Sequence, residues 1–179
     1  PEGFYGTVPV TDVSIVTVSG PESVVSQIAK IVLEYDVSSL APKAATLQTA
    51  LALHYMDSDN NELDAALLES TSGGVLLRSI VLEQKLYPEK TIALNQTALT
   101  TGTPKAGYKV NSVTVSPASV IAAGDETALS VLNTLFTEKA VDVTDRDATF
   151  TAEIKIVQPD NVIYLSSQTV TLIVEIGPV

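Results

Sequence analysis

The chain states one pattern twice, and a duplicated unit limits the possible fold more than any single residue does. Gly3-Phe4 is followed by Gly20 and by an amphipathic stretch that ends at Asp36-Val37-Ser38. Gly107-Tyr108 is followed, at the same spacing, by Gly124 and a similar stretch ending at Asp142-Val143-Thr144. Asp59-Asn60 and Asp160-Asn161 then fall at matching turns. With 179 residues available, the repeat predicts two small domains, residues 1–85 and 86–179. A domain of roughly 80–95 residues can still bury a core of its own. Phe4 and Tyr108 read as equivalent positions that anchor their strands in that core or at its rim.

Composition narrows the functions. Val, Ile, Thr and Ser are abundant, Trp is absent, and aromatic residues are 5% of the chain, which suits half-buried strands. Ten cationic and 21 acidic residues give a net charge of -11. Phosphate backbones would be repelled, so nucleic acid is not an expected partner. An anionic bilayer surface is an equally poor one. The charge reads first as a solvated, self-repelling surface. The absence of Cys excludes disulfides, thiol catalysis and Cys-ligated zinc. No apolar run reaches the ~20 residues of a membrane helix. The chain begins at Pro1 and not at Met, so the sequence reads as a piece of a longer protein.

Periodicity gives a strand-rich chain with one short helix per half. Residues 7–18 alternate loosely and read as extended, with Pro9 at a strand start. Pro21 and Glu22 mark a helix start, and Val24, Val25, Ile28, Ile31 and Val32 share a helical face to about Glu34. An extended link follows from Asp36 to Leu40. Residues 47–55 alternate as a strand, 57–61 are a turn, and 63–68 fit either a helical turn or a strand. Residues 70–74 read as a turn and 75–83 as a strand. In the second half, strands are expected over 91–100, 109–115, 119–123, 150–157 and 169–176. Residues 101–104 are a loop and 158–161 a turn. A helix opens at Gly124-Asp125 with Leu129, Leu132, Leu135 and Phe136 on its apolar face. The first half has no room for a counterpart of the strand over 91–100, so its first strand is expected to be missing.

No residue is assigned a catalytic, cofactor-binding or metal role. His54 is the only histidine, and it alternates with Leu53 and Tyr55 on a predicted strand, which points it to the polar face. No Gly-x-Ser-x-Gly accompanies it, so a serine triad has no nucleophile signature. Asp57-Ser58-Asp59-Asn60-Asn61 resembles the opening of a calcium loop. That loop needs Gly at position six and a bidentate acid at position twelve. Glu62 and Leu68 stand there, and Asp and Asn are also turn residues, so a turn is the reading. Asp142, Asp145 and Asp147 read as a solvated loop. Gly73-Gly74 and Thr101-Gly102-Thr103-Pro104 are turns and not phosphate cradles. Asn95-Gln96-Thr97 is a glycosylation sequon, meaningful only in a eukaryotic secretory context.

The pattern resembles the YbbR-like domain family of bacteria. In the second half the resemblance is carried by Thr101-Gly102-Thr103-Pro104, Gly107-Tyr108-Lys109-Val110, Val113-Thr114-Val115-Ser116-Pro117, Val120, Gly124 and Val141-Asp142-Val143-Thr144. In the first half it is carried by Gly3-Phe4, Val18-Ser19-Gly20-Pro21 and Tyr35-Asp36-Val37-Ser38-Ser39-Leu40. The resemblance implies a mostly β fold with short helices, as two tandem copies of a small domain with crossed, paired sheets. It implies a non-enzymatic regulatory or interaction module on the extracytoplasmic face of the cell membrane. The parent would be anchored by an N-terminal helix not present in this sequence. One relative regulates a membrane-bound diadenylate cyclase, so cyclic di-AMP signalling and a cyclase partner are expectations. No catalytic residue or cofactor follows from the family. The alternative is a structural module that binds carbohydrate or another cell-wall component.

Overall fold

The computed structural model describes residues 1–39 and 44–179; Leu40, the end of the extended link expected from Asp36, lies outside the described residues. Among the described residues strand makes up 50% and helix 9%, so the class is mostly β, with several small sheets and only short helices. Abundant β-branched residues are the local cause, because they keep a preferred rotamer on a pleated surface. The chain divides into two compact units, Gly6–Leu86 with Pro1–Glu2, and Tyr87–Val179 with Gly3–Tyr5.

The strands up to the boundary are β1 (Phe4–Gly6), β2 (Val10–Thr11), β3 (Thr17–Ser19), β4 (Lys30–Val32), β5 (Ala45–Leu51), β6 (His54–Met56), β7 (Glu69–Ser72), β8 (Val75–Leu77) and β9 (Ile80–Leu94). One helical turn, α1 (Glu22–Val25), interrupts them. In the first unit, residues 80–86 of β9 lie between β2 and β5 and run antiparallel to both. Leu82 is opposite Thr11 on one side and Thr49 on the other. β3, β7 and β8 form a second antiparallel sheet, and β4 pairs with β6. Leu53, Tyr55 and Ile80 are buried, with Val18, Ile28, Ile31 and Leu68 packed around them.

The helix expected to reach Glu34 stops after one turn. Gln27 and Ile28 donate only to carbonyls three residues back, at 3.1 and 3.2 Å. The Ala29 N–H then crosses to the Met56 carbonyl at 2.8 Å. A run rich in Val and Ile holds a helix weakly, and β6 offers it a ladder instead. Ile28 and Ile31 reach the same apolar cluster either way. Val37–Ser39 is a 3-10 turn and not extended. The strand expected over 47–55 is split between β5 and β6. Residues 63–68 hold a 3-10 turn, Ala65–Leu67, started by Asp64, whose carboxylate accepts from the Ala66 N–H at 2.9 Å. The turn expected over 70–74 shrinks to Gly73-Gly74, with φ +55° and +82°, joining paired Ser72 and Val75. Two consecutive left-handed residues make the tight hairpin loop that glycine favours.

The second unit adds β10 (Thr100–Thr101), β11 (Tyr108–Ser116), β12 (Ser119–Gly124), α2 (Glu126–Val131), β13 (Thr134–Leu135), β14 (Val141–Asp142), β15 (Phe150–Lys155), β16 (Val162–Leu165) and β17 (Thr169–Pro178). β17 lies between β11 and β15, antiparallel to both. β12 lies between β16 and residues 89–93 of β9. β13 runs parallel to the end of β9, and β10 pairs parallel with β14. Gly3–Tyr5 belongs with this unit because the Gly3 carbonyl accepts from Glu89 N–H at 2.9 Å and Tyr5 stacks on Tyr164 at 4.3 Å. The core holds Ile92, Val120, Ala122, Leu135, Val170 and Leu172, all 2% exposed or less.

Two expectations fail here for identifiable reasons. The strand over 91–100 breaks after Leu94, where the Asn95 carboxamide accepts from both the N–H and the hydroxyl of Thr97 and Ala98 takes φ 54°. The second helix ends at Val131, so of its four expected apolar residues only Leu129 is helical. Leu135 is buried instead in β13, and Phe136 is 57% exposed. The helix end is held by Lys90, whose Nζ donates to the carbonyls of Leu129 and Leu132 at 2.8 and 2.7 Å. Those carbonyls have no partner inside the helix, and a cation suits the negative end of its dipole. Lys90→Met keeps most of the aliphatic stem and removes both bonds. The expected loss is about 1–3 kcal/mol, the range for hydrogen bonds to a charged group, read as a lower urea midpoint.

Phe4 and Tyr108 hold matching places: β1 pairs with β9 as β11 pairs with β17, and the Gly3 carbonyl accepts from Glu89 N–H as the Gly107 carbonyl does from Val179 N–H. Both stand at the rim and not in the core, since Phe4 is half-buried and Tyr108 is 36% exposed. Other features recur between the units. β2-β9-β5 and β11-β17-β15 have the same antiparallel order. β3 with β7 matches β12 with β16, each first strand leading into Gly20 or Gly124. Ile31 opposite Tyr55 matches Thr137 opposite Ile156. Asn60 and Asn161 sit at φ 64° and 62° in the turns that follow. Ser38 N–H and hydroxyl both donate to the Asp36 carboxylate, as those of Thr144 do to Asp142.

Candidate functional site

His54 is the one histidine, and β6 places its ring half exposed beside Glu62, with Nδ1 2.7 Å from Oε1. That hydrogen bond raises the imidazole pKa above its ordinary 6.5, and the charges of Glu62 and Glu34 add to it against some desolvation. An acid orients the ring, but among the described residues no hydroxyl bonds its other nitrogen. The pair is therefore a titrating surface link and not two thirds of a triad. Because the folded pKa is raised, its contribution is full below the unfolded value of 6.5 and is lost as pH climbs through the folded value. The urea midpoint of Glu62→Gln is expected to fall furthest below the parent's at pH 5.5, and the gap should close by pH 8.5. A gap that is constant with pH would show that His54 charge plays no part.

The acidic turns spend their carboxylates on their own backbone. Asp57 accepts from the N–H groups of Asp59 and Asn61, both at 2.8 Å, and from the Asn61 carboxamide at 3.0 Å. The Asn61 bonds lower its pKa first among the causes. Asp142 is held low chiefly by Thr144, and Asp147 chiefly by Lys105 at 2.8 Å. Among the described residues no three His, Cys, Asp or Glu side chains converge as a metal cluster.

The feature with most chemical potential is one edge of β15. Lys155 C=O accepts from Glu138 N–H, and Val157 N–H donates to Phe136 C=O, both at 2.9 Å. The Ile156 N–H points the other way, to Gln168. The two-residue period of a strand therefore turns the N–H and C=O of Thr151 and Glu153 away from β17 as well. Among the described residues no backbone group meets them. The covering segment has left, because β14 pairs with β10 instead. Its departure opens a groove of about 410 Å³ between residues 139–142 and β15, walled by Val141, Phe150, Ala152 and Ile154. Lys139 and Arg146 line it as well, the Arg146 guanidinium 4.4 Å from the centroid of the Phe150 ring.

The strand over 150–157 was legible in the sequence, but the opening beside it was not. It depends on Val141 and Asp142 pairing with Thr100 and Thr101, a contact between distant residues that no local periodicity carries. Alternation along Thr151, Glu153 and Lys155 was the one local signal of an exposed face.

Residues 96–176 match the family model described as YbbR-like protein. No curated protein matches the chain at a significant level. The chain is similar to the crystal structure of a YbbR-like protein from Streptococcus pneumoniae TIGR4, at 12% identity and a TM-score of 0.34, over 98% of this chain and 96% of that one. It is also similar to a solution structure from Streptococcus thermophilus, at 14% identity and a TM-score of 0.40, over 52% of this chain and 87% of that one. On the family match, residues 96–176 of this chain are a YbbR-like domain.

Proposed function

We propose that this chain is a non-enzymatic, extracytoplasmic regulatory and interaction module, built from two YbbR-like domains and belonging to a membrane-anchored bacterial protein. The observation that supports the reading is the recurrence of one pairing scheme, β2-β9-β5 in the first unit and β11-β17-β15 in the second, with the second a YbbR-like domain. One fold used twice is a display scaffold, with strand edges and loops repeated for contact. A net charge of -11 keeps such a scaffold off anionic lipid and nucleic acid and favours protein contacts. The partner the family resemblance implies is a membrane-bound diadenylate cyclase, and the output is cyclic di-AMP. The test is co-expression of the membrane-anchored parent with the cyclase of the same bacterium. Co-purification and a changed cyclic di-AMP level, both lost when these 179 residues are deleted, are expected. No co-purification and an unchanged level, with retention on peptidoglycan, would move the reading to a cell-wall-binding module.

A further inference from the structure

We infer that a pocket in the first unit, built around the buried hydroxyl pair of Tyr55 and Ser70, receives one aliphatic side chain and the backbone carbonyl beside it from a partner polypeptide. The inference deepens the reading as an interaction module and rests on it only for the existence of a partner. The chemistry of the pocket is independent of any cyclase.

Ser70, on β7, is the one buried polar or charged residue among the described residues, at 2% exposed, and Tyr55, on β6, is 5% exposed. Their hydroxyl oxygens are 2.7 Å apart, so one hydroxyl donates to the other. Two hydroxyls carry two hydrogens, and a single bond uses one of them. The second hydrogen meets no acceptor among the described residues. A buried donor without an acceptor is destabilising, and an apolar pair of the same shape would pack here without that penalty. Both residues line a pocket of about 460 Å³, within the size range of ligand sites. An acceptor that enters this pocket can take the second hydrogen.

The rest of the lining selects the occupant. Leu53, Leu68, Leu76 and Leu77 make an apolar wall, which suits a branched aliphatic group. Of the lining residues only Glu69 and Arg78 carry charge, one of each sign. The lining therefore has no net charge, and an ionised occupant would lose its hydration without a net attraction in return. The spare hydroxyl hydrogen asks for one acceptor oxygen close to the aliphatic group. A leucine-like residue within a chain supplies both from one Cα, the side chain and the adjoining carbonyl. Apolar surface also continues past the opening. Leu76 is 47% exposed, and Leu67 and Val75, next in sequence to lining residues Leu68 and Leu76, are 50% and 69% exposed. A polypeptide covers such a rim, whereas a small molecule that fills the pocket leaves it bare.

The probe is the neutral peptide acetyl-Ala-Leu-Ala-amide, titrated into the isotope-labelled chain and followed by amide resonances. Saturable shifts are expected at Ser70, Leu76 and Leu77. The same peptide with Ala, Asp or Lys in place of Leu should give none. A thioamide in place of the leucine carbonyl, whose sulfur accepts poorly, should bind the unaltered protein about tenfold more weakly, the worth of one hydrogen bond. Tyr55→Phe combined with Ser70→Ala removes both hydroxyls and leaves no orphan. That chain should keep a urea midpoint close to the parent's and also bind about tenfold more weakly. The inference is overturned if millimolar peptide gives no saturable shifts at these residues. Unchanged binding of the thioamide, or by the doubly changed chain, overturns the contact between carbonyl and hydroxyl. N-acetylleucine amide binding as tightly as the tripeptide would assign the pocket to a small molecule and overturn the polypeptide occupant. Peptide binding and cyclase co-purification are separate readouts, so either can fail while the other stands.

Discussion

Truncating Leu172 to alanine is expected to cost about 3–5 kcal/mol, at the upper end for a buried leucine. Leu172 is fully buried, on the central strand of β11-β17-β15, with Val115 opposite it on one side and Ala152 on the other. Ala152 is too small to fill the space that a lost isobutyl group leaves, and strands bonded on both sides cannot collapse inward. The cost is therefore transfer of the side chain plus a cavity that persists. Small domains hold only about 5–15 kcal/mol in total, so this one change consumes a large part of the second unit's stability. Tyr108→Ala makes the contrast. The repeat marks Tyr108 as an anchor, but its 36% exposure and its place at the start of β11 predict a loss of about 1 kcal/mol or less. Urea unfolding followed by amide exchange in the second unit measures both. A Leu172→Ala midpoint close to the parent's would mean that β17 does not sit at the centre of the core.

That contrast shows where sequence reasoning reached its limit. Strands over 109–115, 119–123, 150–157 and 169–176 were legible because their alternation matches the half-buried pleat, and β11, β12, β15 and β17 follow them closely. Turns at Asp59-Asn60 and Asp160-Asn161 were legible because asparagine tolerates the left-handed region that Asn60 and Asn161 occupy. Both helices were read too long. Apolar residues at i, i+3 and i+4 also suit a short helix followed by a strand, and which one wins depends on partners elsewhere in the chain. Met56 claims the first chain exit through Ala29, and Lys90 closes the second through Leu129 and Leu132. β16, β13 and β14 are two to four residues each, too short to show a period. The β15 groove was hidden for the same reason, since it exists only because β14 pairs with β10.

Gly124→Ala is expected to destabilise the second unit by about 2–4 kcal/mol. Gly124 ends β12, pairs with Val162, and stands where the register shifts after Ala123. A Cβ placed there would run into the backbone carbonyl of Asn161 and come within 2.9 Å of the Val162 Cα. These obstacles are main chain, so no rotamer change relieves them. The Asn161 carbonyl is also fixed, because it accepts from the Asp125 N–H at 3.0 Å just before α2. Making room means parting β12 from β16 or giving up that bond. Overpacking of this kind costs about 1–3 kcal/mol, and a lost hydrogen bond adds about 1. For a domain of under 100 residues, the sum corresponds to a melting temperature lower by on the order of 10–20 °C. Gly20→Ala meets a similar obstacle in the first unit, with the Leu67 carbonyl 2.6 Å away and the flexible end of Leu68 at 3.0 Å. Gly107→Ala separates crowding from backbone strain, because Gly107 has φ +87° but open space where its Cβ would go. Strain alone predicts about 1–2 kcal/mol there. If Gly124→Ala costs no more than Gly107→Ala, the approach of β12 to the Asn161 turn is looser than these distances require. The spacing of the two glycines from their aromatic neighbours would then have a cause other than packing.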